Sequence, residues 1–130
     1  MPTLFTRIIA GEIPAHKILE NSEYLAFLDL RPVSPGHTLV IPKQEIDYIF
    51  DMEDDLLKEL MVFAKKVAKA IKKALPCKKV GIMVAGIEVP HAHVHLIPIN
   101  SVSDLNFARA QAATQEELAA IAAKIRANLK

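Results

Sequence analysis

Apolar and polar positions recur along this chain with more than one period, and each change of period marks an element. Residues 4–10 read as a short helical turn, ended by Gly11 and Pro14. Lys17–Glu20 and Tyr24–Asp29 read as two strands, and Asn21-Ser22-Glu23 between them has turn chemistry, which predicts a hairpin. The stretch 31–36 holds Pro32, Pro35 and Gly36 and is a loop; Thr38–Ile41 is a third strand, stopped by Pro42. The period then lengthens. Leu56, Leu57, Leu60, Met61, Ala64, Val67, Ala68, Ile71 and Leu75 recur at three- and four-residue steps, predicting a helix over 52–75 with one broad apolar face. Asp51 is its expected N-cap. Glu53, Asp54 and Asp55 suit the positive end of the helix dipole, Lys72 and Lys73 the other end, and Pro76 stops it. Strands are predicted over 79–85 and 92–97, joined by Gly86-Ile87-Glu88-Val89-Pro90. Thr114-Gln115-Glu116-Glu117 is a capping box, and Leu118, Ile121, Ile125 and Leu129 mark a C-terminal helix. Early strands, one long helix and two further strands predict an α+β domain with an antiparallel sheet covered by the helix.

Composition narrows this picture without changing it. The length of 130 residues suits one domain: residues 1–100 carry the main pattern, and 101–130 form an extension with its helix. The net charge of +1 gives no electrostatic case for nucleic acid or membrane as a partner. Lysines 65, 66, 69, 72, 73, 78 and 79 read as a solvated face, and no aromatic residues interleave them as a single-strand-binding surface would require. The one cysteine, Cys77, allows no internal disulfide. Arg7, Glu12 and Pro14 interrupt the first apolar run, so it does not read as a secretory signal. No stretch approaches the roughly 20 apolar residues of a spanning helix. The expectation is a cytoplasmic protein.

The candidate chemistry lies in the last strand. His91, His93 and His95 alternate with Ala92, Val94 and Leu96. On a strand, alternate side chains share a face, so the three imidazoles form a row with Cα atoms ~6 to 7 Å apart. Each buried imidazole needs a hydrogen-bond partner, which makes three in a row a poor way to cover a core. Imidazole titrates near neutrality, attacks electrophiles and binds metals. From the residues alone, both a nucleophile and a metal ligand remain open, with His37 or Glu88 as a third ligand in the second case. His16 has no such context and reads as a surface residue.

His-x-His-x-His followed by apolar residues resembles the motif of the histidine triad (HIT) proteins, nucleotide hydrolases and transferases. Two further blocks resemble the same family in order. Phe5-Thr6-Arg7-Ile8-Ile9-Ala10-Gly11-Glu12-Ile13-Pro14-Ala15 is similar to its opening segment. Leu25 to Pro32 with Pro35-Gly36-His37-Thr38-Leu39-Val40-Ile41-Pro42-Lys43 is similar to its middle. The resemblance implies a HIT-like fold, a five-stranded antiparallel sheet with one long helix packed on it, and commonly a homodimer built through that helix and the adjacent sheet. It implies that His93 attacks the α-phosphorus of a purine nucleotide or nucleotide conjugate, forming a nucleotidyl-histidine. His91 and His95 would stabilise the phosphate, and His37 would buttress the triad. Asp29 would hold the ribose hydroxyls, although a strand-end turn cap is its plain reading. Phe5, Ile8, Ile13, Phe27, Leu28 and Leu30 would form the slot for the base.

Two departures from the family pattern matter. Many members carry Cys-x-x-Cys near the start within a zinc site; here the stretch is Thr3-Leu4-Phe5-Thr6, and Glu45 stands where another ligand is often histidine. Hydroxyls are poor zinc ligands, so no structural zinc and no cofactor are expected. The connection before the triad is also short, and Glu88 lies three residues before His91, where a hydroxyl residue usually contacts phosphate. A carboxylate there is repulsive toward phosphate unless protonated or turned away; it could instead orient a histidine or face solvent. The expected function is hydrolysis of nucleoside phosphoramidates or related conjugates, releasing a nucleoside monophosphate. The alternatives are a dinucleoside polyphosphate hydrolase, a nucleotide-binding regulator with little turnover, and a metal enzyme.

Overall fold

The structure is a computed structural model and describes residues 2–129. Five strands form one antiparallel sheet: β1 Lys17–Glu20, β2 Tyr24–Leu28, β3 Thr38–Pro42, β4 Lys79–Met83 and β5 Val94–Ile99, in the order β1-β2-β3-β5-β4. Three helices accompany it: α1 Leu4–Ile9, α2 Asp54–Ala74 and α3 Gln115–Arg126. The expected α+β architecture and its antiparallel sheet are both present.

The sheet separates two apolar layers. β2, Tyr-Leu-Ala-Phe-Leu, is buried at every position, so alternate residues feed opposite cores. Tyr24, Ala26 and Leu28 join Val40, Ala92, Val94 and Leu96 beneath α2 and α3. Leu25 and Phe27 join Leu39 and Ile41 beneath Phe5 and Ile8 of α1. The Tyr24 hydroxyl donates to the Leu56 carbonyl at 2.8 Å, tying the sheet to α2.

Several boundaries differ from the sequence expectation. Asp51 does not cap α2; it ends a 3-10 turn over Ile49–Asp51, and Glu53 takes the cap position without a side-chain cap bond. The buried stripe of α2 runs through Leu60, Phe63, Ala64, Val67, Ala70 and Ile71. Met61, one residue beyond Leu60, is turned ~100° around the axis and lies exposed. β4 is two residues shorter than expected, and β5 starts at Val94 rather than Ala92. Ahead of it, Ala92 N–H donates to the Ile46 carbonyl at 2.7 Å, outside the ladder. β5 continues through Pro98 because β3 pairs with it only as far as Leu96. The Pro98 carbonyl accepts from Ser34 Oγ at 2.8 Å, on the side where β3 has already ended; the missing N–H faces that same open side.

The C-terminal third returns to the sheet. Chain 100–113 crosses the loop after β2, where Gln111 N–H donates to the Pro32 carbonyl and Ala113 N–H to that of Leu30. The capping box at Thr114 and Glu117 is formed as expected and starts α3, which packs on α2 and β1. His16 hydrogen-bonds Gln115 at 2.7 Å in an exposed pair.

Candidate functional site

His91-Ala92-His93 is extended chain leading into β5, and His95 is the second residue of that strand. Side-chain alternation continues through the boundary. Ala92 and Val94 enter the core beneath α2, while the three rings lie on the α1 face. Phe5 of α1 meets the His93 ring edge-on at 4.9 Å, and His93 meets His95 at 4.8 Å. All three are nearly buried, at 0%, 7% and 8% exposure for His91, His93 and His95.

Backbone groups dictate every tautomer here. A carbonyl only accepts and an amide N–H only donates. The His91 carbonyl accepts from His93 Nδ1 at 2.7 Å, so Nδ1 carries the proton and Nε2 keeps its lone pair. Every buried side-chain nitrogen among the described residues has a partner, and His93 Nε2 has none, so it opens toward solvent. Val33 N–H donates to His37 Nδ1 at 3.0 Å, so His37 holds its proton on Nε2 and donates it to His95 Nδ1 at 2.9 Å. His95 therefore carries its own proton on Nε2. The Pro42 carbonyl accepts from His91 Nε2 at 2.7 Å, and Thr3 Oγ1 donates to His91 Nδ1 at 3.1 Å.

Burial favours the neutral form of His37, His91 and His95. His37 and His95 are each pushed down to about 4, first by desolvation and then by the neighbouring imidazoles; Asp29 opposes the shift at His95. Desolvation also lowers His91, against the Pro42 carbonyl and the Glu45 carboxylate, which both raise it. The site thus offers one imidazole lone pair, at His93, and one neutral imidazole N–H, at His95.

Two clefts meet at His93 and His95. A narrow apolar slot of about 270 Å³ is walled by Phe5, Ile8, Ile13, Phe27, Leu28 and Leu30, with Asp29 and Glu88 at its rim. The seven residues expected to hold the base and the ribose all line this slot, and Glu88 lines it too. A wider cleft of about 560 Å³ opens on the other side, between Ala85–Glu88 and the chain around Phe107. Asp29 Oδ1 accepts Arg31 N–H at 2.9 Å, which is the turn cap, and Oδ2 lies 3.6 Å from His37 Nε2.

Two placements depart from the sequence reading, His91 and Phe107, and at Glu88 the solvent-facing alternative is the one taken. His91 was expected beside the phosphate, yet it lines neither cleft and both its nitrogens are engaged. Glu88 bonds neither His91 nor His93; it is exposed at the junction of the clefts. Phe107 was not anticipated. Its ring lies 4.8 Å from His95 and 6.5 Å, stacked, from His37. A lone aromatic within a polar, alanine-rich stretch was its only trace in the sequence.

Metal ligation tests poorly at both places the sequence raised. Thr3, Thr6, Glu45 and His91 do converge, but as hydroxyls and a carboxylate hydrogen-bonded to one another at 2.6–3.1 Å. Threonine hydroxyls are not zinc donors, so this set does not fit zinc. Asp29, His37 and His95 offer three atoms within 4.8 Å, a different trio from the His-x-His pair. The His37–His95 hydrogen bond places a proton between two of them.

Known proteins resemble this chain in sequence and in fold. The HIT domain model matches residues 10–102. Protein hit of Bacillus subtilis is 39% identical over 102 residues, covering 73% of this chain and 69% of that one. The adenosine 5′-monophosphoramidase of Saccharomyces cerevisiae is 40% identical over 96 residues, covering 73% of this chain and 61% of that enzyme. A crystal structure of a Hit-like protein involved in cell-cycle regulation from Bartonella henselae aligns with a TM-score of 0.87 and 33% identity, over 98% of this chain and 96% of that one.

Proposed function

The chain belongs to the HIT domain family, and on that premise we propose that it hydrolyses nucleoside phosphoramidates or related nucleotide conjugates through a nucleotidyl-histidine at His93. The observation that carries this reading is the 2.7 Å bond from His93 Nδ1–H to the His91 carbonyl, which leaves the Nε2 lone pair free where two clefts meet. In the first step Nε2 attacks the α-phosphorus, a P–N bond to histidine forms, and the P–N bond to the leaving amine breaks as that nitrogen takes a proton from solvent; His93 keeps its Nδ1–H and becomes a cationic phosphoimidazolium. In the second step water adds to phosphorus and gives one proton back to solvent, the bond to His93 breaks, and a nucleoside monophosphate leaves with the neutral Nδ1–H imidazole restored. Covalent catalysis of this kind divides one displacement into two. The neutral His95 Nε2–H donates to a phosphoryl oxygen as charge builds there. The base enters the Phe5–Phe27 slot, and Asp29 at its rim accepts from the ribose hydroxyls.

Charge supports an amine leaving group over a second nucleotide. Among the described residues lining the wide cleft, Arg31 is the sole Lys or Arg, against the carboxylates of Asp29 and Glu88. A departing polyphosphate would meet net repulsion, whereas a protonated amine is favoured. The named activity of the yeast relative is of the same kind.

The test is release of AMP from adenosine 5′-phosphoramidate, with chelator throughout. Wild type turns over, and His93→Ala falls by about three orders of magnitude or more. Equal rates for the two proteins would overturn the nucleophile assignment. Turnover by neither would overturn the substrate assignment and leave nucleotide binding as the activity to measure.

A further inference from the structure

His91 is the triad member that touches no cleft, and it is linked through Thr3, the reciprocal cap of α1 and Thr6 to Glu45. From the ring outward, His91 Nδ1 meets Thr3 Oγ1 at 3.1 Å, Thr3 Oγ1 meets Thr6 Oγ1 at 3.1 Å, and Thr6 Oγ1 donates to Glu45 Oε1 at 2.6 Å. Backbone bonds brace the chain. Thr6 N–H donates to Thr3 Oγ1 at 3.1 Å, and Thr3 N–H donates to Thr6 Oγ1 at 3.2 Å, the reciprocal cap that starts α1. Thr3 is 7% exposed, so its hydroxyl meets the ring out of water. The four residues come from three separate segments: the N-terminus, the loop after β3, and the approach to β5.

Thr6 gives its hydroxyl proton to Glu45, Thr3 gives its own to His91 Nδ1, and His91 gives Nε2–H to the Pro42 carbonyl. Each hydroxyl has one proton, so none lies between the two threonine oxygens, and the reciprocal backbone bonds of the cap join Thr3 to Thr6. The ring is thereby clamped at both nitrogens. Its backbone carbonyl is the acceptor that fixes His93 Nδ1–H. Movement of His91 moves that carbonyl and frees His93 to take its other tautomer, in which Nε2 is protonated and cannot attack.

We propose that Thr3, Thr6 and Glu45 are positioning residues that act through His91 to hold the His93 attacking nitrogen in its unprotonated form. The chain does with hydroxyls and a surface carboxylate what a fixed ligand set would do for the same ring. This rests on His93 being the nucleophile for its kinetic consequence, but not for its structural one.

Two readouts keep those apart. The first is steady-state kinetics on adenosine 5′-phosphoramidate. Thr3→Val lowers kcat by about tenfold or more with KM within about twofold, and Thr6→Val, which keeps the Thr3 cap oxygen, lowers it by about threefold or more. Thr3→Ser, which restores the hydroxyl, stays near wild type. The second is the imidazole ¹⁵N spectrum, which needs no turnover. Wild type shows His93 as a single Nδ1–H tautomer, and Thr3→Val and Thr6→Val show it as a mixture, in buffer well above the ordinary imidazole range. An unmixed His93 spectrum in folded Thr6→Val overturns the proposal. So does a kcat loss in Thr3→Val that Thr3→Ser shares. A wild type that shows the single tautomer but no turnover would sink the hydrolase reading and leave this one standing.

Discussion

Four imidazoles in one small volume could adopt many proton arrangements, and here each is decided by a backbone group. The Val33 amide, the Pro42 carbonyl and the His91 carbonyl act as fixed donors or acceptors, and side chains transmit the choice. His37 is the longest such link. It takes its tautomer from Val33 and passes it to His95, leaving the His95 Nε2–H available. His37→Ala removes that instruction without removing the nucleophile. The expected loss in kcat is roughly tenfold to a hundredfold, smaller than the 10²–10³ that a direct transition-state donor supplies, with KM little altered. Kinetics on adenosine 5′-phosphoramidate decide it: an unchanged kcat would mean that His95 does not need His37. At this scale the sequence was informative about residue type and spacing. His91, His93, His95 and His37 are brought together as the motif suggested. The tautomers were not legible, because Val33 and Pro42 act through backbone atoms that any residue carries. His91 was misplaced for a related reason: alternation gives its face, but not the α1 segment that seals it.

The elements were legible where their periodicity is long, and shifted where a backbone atom leaves the ladder. α2 and α3 lie close to their expected spans, while β5 starts late because Ala92 N–H turns to Ile46. The 100–113 segment has no period at all. Its two 3-10 turns, Val102–Asp104 and Phe107–Arg109, follow from local side-chain caps, and the contact of Phe107 with His95 could not be read from them. Gly36 shows how one position couples elements to the site. Its φ is +96°, and a Cβ there would collide with Leu75 Cδ1 and come within 3.2 Å of Pro98 Cγ. Gly11 also has positive φ, at +81°, but open space around it. Gly36→Ala is therefore expected to cost about 2–3 kcal/mol, combining backbone strain with the clash. Gly11→Ala is expected to cost about 1 kcal/mol, from strain alone. Urea unfolding midpoints test the pair, and equal losses would show that the close approach at Gly36 is relieved by Leu75 moving aside.

At the scale of the whole molecule, buried neutral histidines make folding a function of pH. His37 and His95 ionise near 6.5 when exposed in the unfolded chain, and at about 4 when folded. Between those values the unfolded state binds more protons, so stability rises with pH across that window. The contribution is fully present above about pH 7 and is lost as pH falls from 6.5 toward 4. The facing groups set the balance: His93 adds to the depression at both rings, while Asp29, from the end of β2, works against it at His95. Lowered carboxylates such as Glu20, held by Lys43 and Lys17, act in the same direction but only below their ordinary value of 4.5. Calorimetry from pH 8 to pH 4 should show a level thermal midpoint above pH 7 and a decline that begins near pH 6.5, above the value of 4.5 at which the Glu20 contribution starts to be lost. His37→Asn with His95→Asn should flatten the upper part of that decline and leave the carboxylate part in place. A midpoint that rises on acidification from pH 7 to pH 5 would mean that the folded site holds an imidazolium, and the neutral relay from Val33 to His95 would then be wrong.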